Sequence, residues 1–143
     1  MKLFKTTPEN CFKDIINYDY KTYYISGLLN DINYKDFKIA YIDENKNGKK
    51  GTILCIHGHP TWSYIWRHII PLAIEEDYRI IALDLPGFGK SDKLTEESFF
   101  SFNNYRNILI NFIKKLDLKD IFLFLHEGGG TLGLTLPMQG ERN

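Results

Sequence analysis

The chain has 143 residues, 18 basic against 18 acidic side chains and 43% hydrophobic content. That is enough apolar material for one globular core, and fibrous, collagen-like and disordered classes are excluded. A formal net charge of zero offers no broad field to a phosphate backbone or an anionic membrane, so neither nucleic acid nor a membrane is expected as a partner. The N-terminal segment MKLFKTTPEN has no continuous apolar stretch, and no run approaches the roughly 18 apolar residues of a spanning helix. The chain therefore reads as cytoplasmic. Cys11 and Cys55 are too few for a disulfide framework, and Cys55, inside TILCIH, reads as a buried free thiol.

In chain order, residues 37–42 alternate apolar and polar in the period-2 manner of a half-buried strand. The charged stretch from Asp43 to Gly51 reads as a solvated turn, and residues 52–56 as a short buried strand. Pro60 and Thr61 introduce WSYIWRHIIPLAI, whose apolar spacings of three and four predict a helix bent or ended near Pro71. Residues 78–83 form a second buried strand, closed by Asp84 and the turn-rich LPGFGKSD. Helical spacing returns over residues 99–116, IFLFL (121–125) reads as a third buried strand, and Gly128, Gly129 and Gly130 open another helix. Buried strands alternating with amphipathic helices predict an α/β fold, a mostly parallel sheet with helices on both faces.

In such sheets ligands bind beyond the carboxyl ends of the strands, where helix N-termini and backbone amides converge. HGHPTW, DLPGFGKSD and HEGGGTLG all fall at such ends. A strand turning sharply into a helix through x-nucleophile-x-Gly projects a reactive side chain from a strained backbone. In LHEGG that position is Glu127, and the amides of Gly128 and of His59 in the HGH loop are placed to form an oxyanion hole.

HGHPTWSYIWR, DLPGFGKSDK and GGTLGLTLPM, in this order, resemble the haloalkane dehalogenases of the α/β-hydrolase superfamily, and the resemblance runs from Thr7 to Met138. It implies a reaction in which a carboxylate displaces halide to give an ester that a His-activated water hydrolyses, on a small-molecule substrate and with no organic cofactor or metal. The chain departs from the family at the elbow, with Glu127 and Gly128 where the family carries Asp and Trp. The added methylene moves the carboxylate by about 1 Å or more, a misplacement that can cost ~10²-fold in rate. The halide-gripping indole is absent, and His59 stands where one branch of the family has a halide-binding Asn. His57, His59, His68 and His126 all precede Glu127, whereas the superfamily's triad runs nucleophile, acid, His.

The expected domain is therefore residues 1–143 as a partial α/β-hydrolase domain, truncated after the elbow, with cap and C-terminal strands absent. Alone it is expected to be catalytically inert, with one apolar, unpaired sheet edge. The alternative is a fragment that pairs this edge with a separately encoded C-terminal half to rebuild a hydrolase, an epoxide hydrolase or esterase included. A weaker alternative is a nucleotide-binding module, because GGGTLG fits G-x-G-x-x-G, but the pattern serves the third buried strand and not the first. Other features have structural readings. His57 and His59 form H-x-H without further ligands at metal spacing, and Asp84 orders its turn. Trp62, Tyr64 and Trp66 pack in the core or a pocket wall, and Ser63 and Ser91 lie away from the elbow.

Overall fold

The computed structural model describes residues 2–137; Met138 of the GGTLGLTLPM motif and the QGERN tail lie outside the described residues. In chain order come β1 (Phe4–Lys5), β2 (Tyr23–Ile25), β3 (Ile39–Glu44), β4 (Thr52–Ile56), α1 (Ile69–Glu75) and β5 (Arg79–Leu83). Then follow β6 (Lys93–Leu94), α2 (Phe102–Lys115), β7 (Ile121–Leu125) and α3 (Gly128–Gly133). The main sheet runs β2-β3-β5-β4-β7, and β1 pairs with β6 as a separate ribbon.

The α/β class holds, and the sheet is mixed. β4 lies parallel between β5 and β7, whereas β2, β3 and β5 pair antiparallel to one another in turn. Chain connectivity requires this: the turn from Asn45 to Gly51 is too short for the crossover that a parallel return needs, so β4 must run opposite to β3. Asp43 and Glu44 belong to β3 and not to that turn. The Asp43 carboxylate is buried and accepts a two-pronged pair of bonds from the Arg79 guanidinium at 2.9 and 2.8 Å, tying β3 to β5.

Alternation along β4 and β5 divides the core into two layers. Leu54, Ile56, Ile81 and Leu83 face Tyr105, Ile108, Leu109 and Phe112 of α2 and Leu132 of α3. Cys55, Ile80 and Ala82 face Trp66 and the α1 residues Ile70 and Ala73. Helices thus cover both faces, and each fully buried Ile or Leu contributes roughly 1.5–3 kcal/mol by leaving water.

Three local expectations are corrected. β3 is buried on both faces rather than alternating, because α2 covers one side of it and the layer around Tyr18 and Ile70 the other. The helix expected to stop at Pro71 instead starts there: residues 63–66 form a 3₁₀ turn, and Pro71 sits in the first turn of α1. No intrahelical acceptor exists for an N–H in that turn, so proline costs nothing there. β7 stands at an unpaired edge as expected, since among the described residues only β4 pairs with it, but it is not buried on both faces: Phe122 is 54% and Phe124 43% exposed.

Candidate active site

The elbow is built by the end of one ladder and the start of the next helix. His126 N–H donates to Ile56 O at 3.1 Å, the last link of β7 to the β4 side. Gly129 N–H then donates to His126 O at 3.0 Å and Gly130 N–H to Glu127 O at 2.8 Å, which begins α3. One residue must reverse the chain between them. Glu127 does so at φ 49°, ψ −119°, on the positive side that costs a side-chain-bearing residue about 1–3 kcal/mol. Two glycines permit the crowding. A Cβ on Gly129 would collide with the carbonyl oxygens of Ile56 and His57, and one on Gly58 would strike the Glu127 carboxylate and lie 2.8 Å from its Cβ.

These approaches bring together the residues singled out by the sequence. Glu127 Oε2 accepts the His59 N–H at 2.7 Å. The amides of His59 and Gly128 hold the exposed carboxyl below its usual range, and the imidazoles of His59 and His126 add to the effect. Glu127 is therefore a carboxylate at neutral pH, fronting the first amides of α3. That negative charge stands where a dinucleotide phosphate would have to sit, which disfavours the nucleotide reading of GGGTLG. The His59 ring stacks on Phe88 at 4.6 Å, with Tyr105 edge-on at 6.3 Å. Neither Phe88 nor Tyr105 was singled out by the sequence. Phe88 lies in the recognised DLPGFGKSD loop, but Tyr105 is one helical core position among several.

The remaining polar residues form a frame under this site. His57 is fully buried, its Nε2 accepts the Leu85 N–H at 2.8 Å, and its proton must then sit on Nδ1, which faces Gly58 O at 2.8 Å. Both nitrogens are engaged, so H-x-H cannot act as a metal pair. Burial lowers the His57 pKa. Asp84 orders its turn as expected, accepting Ser63 N–H at 2.8 Å and Lys90 N–H at 2.9 Å. Ser91 Oγ donates to Asp84 O at 2.6 Å and accepts Ala40 N–H, while Ser63 Oγ meets Tyr18 Oη at 2.5 Å. His68 and His126 are exposed. Trp62 and Tyr64 stack on each other at 5.7 Å and Trp66 is buried against Phe124, so the three aromatics pack rather than forming a cage. A groove of about 750 Å³ lies elsewhere, between residues 28–34 and α2, and none of its lining residues belongs to the elbow or the HGHP loop.

The family profile described as alpha/beta hydrolase fold matches residues 51–142, which include all three converging loops. The chain belongs to the α/β-hydrolase fold family. Within it, this hydrolase-fold chain is 32% identical over 136 residues to a haloalkane dehalogenase of Psychrobacter cryohalolentis, covering 95% of the chain and 44% of that protein. Its structure matches the tetrameric haloalkane dehalogenase DpaA from Paraglaciecola agarilytica NO2 with a TM-score of 0.89 and 43% identity, over 94% of the chain and 44% of that structure. The epoxide hydrolase VrEH1 from Vigna radiata, at 23% identity and a TM-score of 0.71, shares the fold over 85% of the chain and 36% of its own. The hydrolase-fold chain thus corresponds to an N-terminal part of haloalkane dehalogenase-like proteins and spans less than half the length of these relatives. Among the described residues no helix is long and apolar enough to cross a membrane.

Proposed function

We propose that this chain carries the nucleophile and oxyanion half of a haloalkane dehalogenase-like site acting on a small haloalkane. The observation that supports it is the carboxylate of Glu127, raised on a positive-φ corner and held through one oxygen by the His59 amide. The other oxygen, Oε1, attacks the carbon bearing halogen; the C–O ester bond forms as the C–halogen bond breaks, and halide leaves with the electron pair. Attack of water on the ester carbonyl would then place negative charge on Oε2, where the His59 and Gly128 amides act as the oxyanion hole. Collapse releases the alcohol and restores the carboxylate, with one proton passing to a base.

That base is what these 143 residues do not provide in the family's order, since no histidine follows Glu127 and His57 has both nitrogens engaged. Gly128 has no side chain to donate to the departing halide, so leaving-group ability governs the first step. The chain by itself is expected to stop at the ester. Incubation with 1-iodobutane should add one butyl group to Glu127, read by intact and peptide mass spectrometry, with no more than one equivalent of iodide released. Labelling should slow from iodide to bromide to chloride and vanish in Glu127→Gln. Labelling that survives Glu127→Gln removes the proposed nucleophile, and continuing Glu127-dependent halide release removes the arrest at the ester.

A further inference from the structure

Gly58 sets two demands against each other. A Cβ there would strike the Glu127 carboxylate, so the position has to be glycine, yet glycine is the residue that restrains its flanking peptides least. The peptide that follows it, Gly58–His59, supplies the amide that holds Glu127 Oε2 at 2.7 Å. In a trans peptide the C=O and N–H point to opposite sides, so turning this unit over would withdraw the donor and set a carbonyl oxygen against the carboxylate. Something other than the backbone of Gly58 has to hold the plane.

We propose that His57 is a positioning residue that locks the Gly58–His59 peptide, with the His59 N–H facing Glu127, by donating from Nδ1 to Gly58 O. The ring is fully buried, and its two nitrogens have different tasks. Leu85, two residues beyond β5, donates its N–H to Nε2 at 2.8 Å. That fixes the tautomer, since a nitrogen that accepts cannot carry the proton, and the proton on Nδ1 then meets Gly58 O at 2.8 Å. The Gly58–His59 unit is thereby gripped at both ends, its oxygen from the interior and its N–H by the carboxylate outside. Phe88 packs edge-on against the His57 ring at 5.5 Å and face-on against His59 at 4.6 Å, which keeps both rings in place. A donor already aimed before charge arrives does not have to reorient during the reaction, the condition for an effective oxyanion hole. The line of contacts runs from the end of β5 through His57 to the site. Its consequence for reactivity rests on Glu127 being the nucleophile, whereas the lock itself rests only on these hydrogen bonds.

The test uses the full 143-residue chain and separates the two nitrogens. Asn places an amide N–H where Nδ1 stands and cannot reach Leu85, whereas Gln places an acceptor where Nε2 stands and leaves Gly58 O without its donor. The first readout is NMR without haloalkane. In the unsubstituted chain the His59 amide proton should resonate far downfield, as a short bond to a carboxylate requires, and long-range proton–nitrogen spectra should show His57 protonated on Nδ1 alone. His57→Asn should keep the downfield His59 proton. His57→Gln should move it upfield and raise the Glu127 pKa toward the ordinary glutamate range, because the His59 amide no longer holds the carboxylate. The second readout is alkylation of Glu127 by 1-iodobutane, which should slow about tenfold in His57→Gln and by less in His57→Asn. A purely structural His57 would destabilise the fold through either lost bond and leave the His59 proton alike in both variants, and that result overturns the proposal. So does a His57 proton on Nε2 in the unsubstituted chain, an outcome that needs no variant to fold. The expected spectra with no alkylation of the unsubstituted chain support the lock and remove Glu127 as nucleophile.

Discussion

Glu127 and Gly58 are two sides of one contact, and the glycine sets how close they come. A methyl group at position 58 would lie 2.8 Å from Glu127 Cβ and 2.9 Å from His126 O, so Gly58→Ala must push the carboxylate off the His59 amide. The expected cost is about 1–3 kcal/mol in chemical denaturation, together with loss of Glu127 alkylation. Full alkylation in this variant would mean that the amide contact does not matter. His57 gives a pH signature with a defined sign. Burial holds its folded pKa below the ordinary histidine value of about 6.5 that the unfolded chain retains, so the unfolded state binds the extra proton first. Its contribution to stability is complete above pH 6.5 and is lost as pH falls below it, at up to about 1.4 kcal/mol per unit until the folded pKa is reached. Urea midpoints at pH 7.5, 6.5 and 5.5 should fall mainly over the last step, and His57→Gln should flatten that step. The convergence of Glu127, His59 and Gly128 was legible because glycines spaced around a strand end mark close backbone approach. The contacts of His59 with Phe88 and Tyr105 were not, since nothing local joins two loops and a helix that are far apart in the chain.

At the scale of elements, what sequence periodicity captured was the length and burial of the central strands. β4 and β5 lie where the apolar runs put them, because strands covered on both faces have no alternation to misread. β3 was misread as half-buried, since Lys38 and Tyr41 among the apolar residues of 37–42 mimic a polar face. β7 was read as buried although its edge was expected to be unpaired, because an apolar run says nothing about whether each of its faces is covered. Pro71 was ambiguous for a related reason: the residue that stops a helix internally is welcome in its first turn, and only the three-dimensional path distinguishes the two. The start of α2 is better defined. Ser101 caps it, its side chain accepting the Asn104 N–H at 3.3 Å, and Lys114 and Lys115 complement the dipole at the other end. Ser101→Ala should therefore cost about 1 kcal/mol by denaturant titration, whereas Ser101→Asp should cost almost nothing. Equal losses in the two variants would show that the cap contributes nothing.

For the molecule as a whole, the order of the sheet translates into an order of stability. β4 and β5 have a strand on each side and helices on both faces, and Leu54, Cys55, Ile56 and residues 80–83 have no measurable exposure. Their amides can exchange only when the sheet itself opens, so their protection reports the global free energy. Among the described residues β7 has a partner on one side only, and its open face carries Phe122 and Phe124, so it can leave the sheet without unfolding the rest. Hydrogen exchange read by mass spectrometry over peptides containing residues 52–56, 79–83 and 121–125 should therefore rank the last as the fastest in dilute solution. If 121–125 is already as slow as 52–56 when the chain is dilute, β7 is held by something other than β4, and the picture of an open edge is wrong.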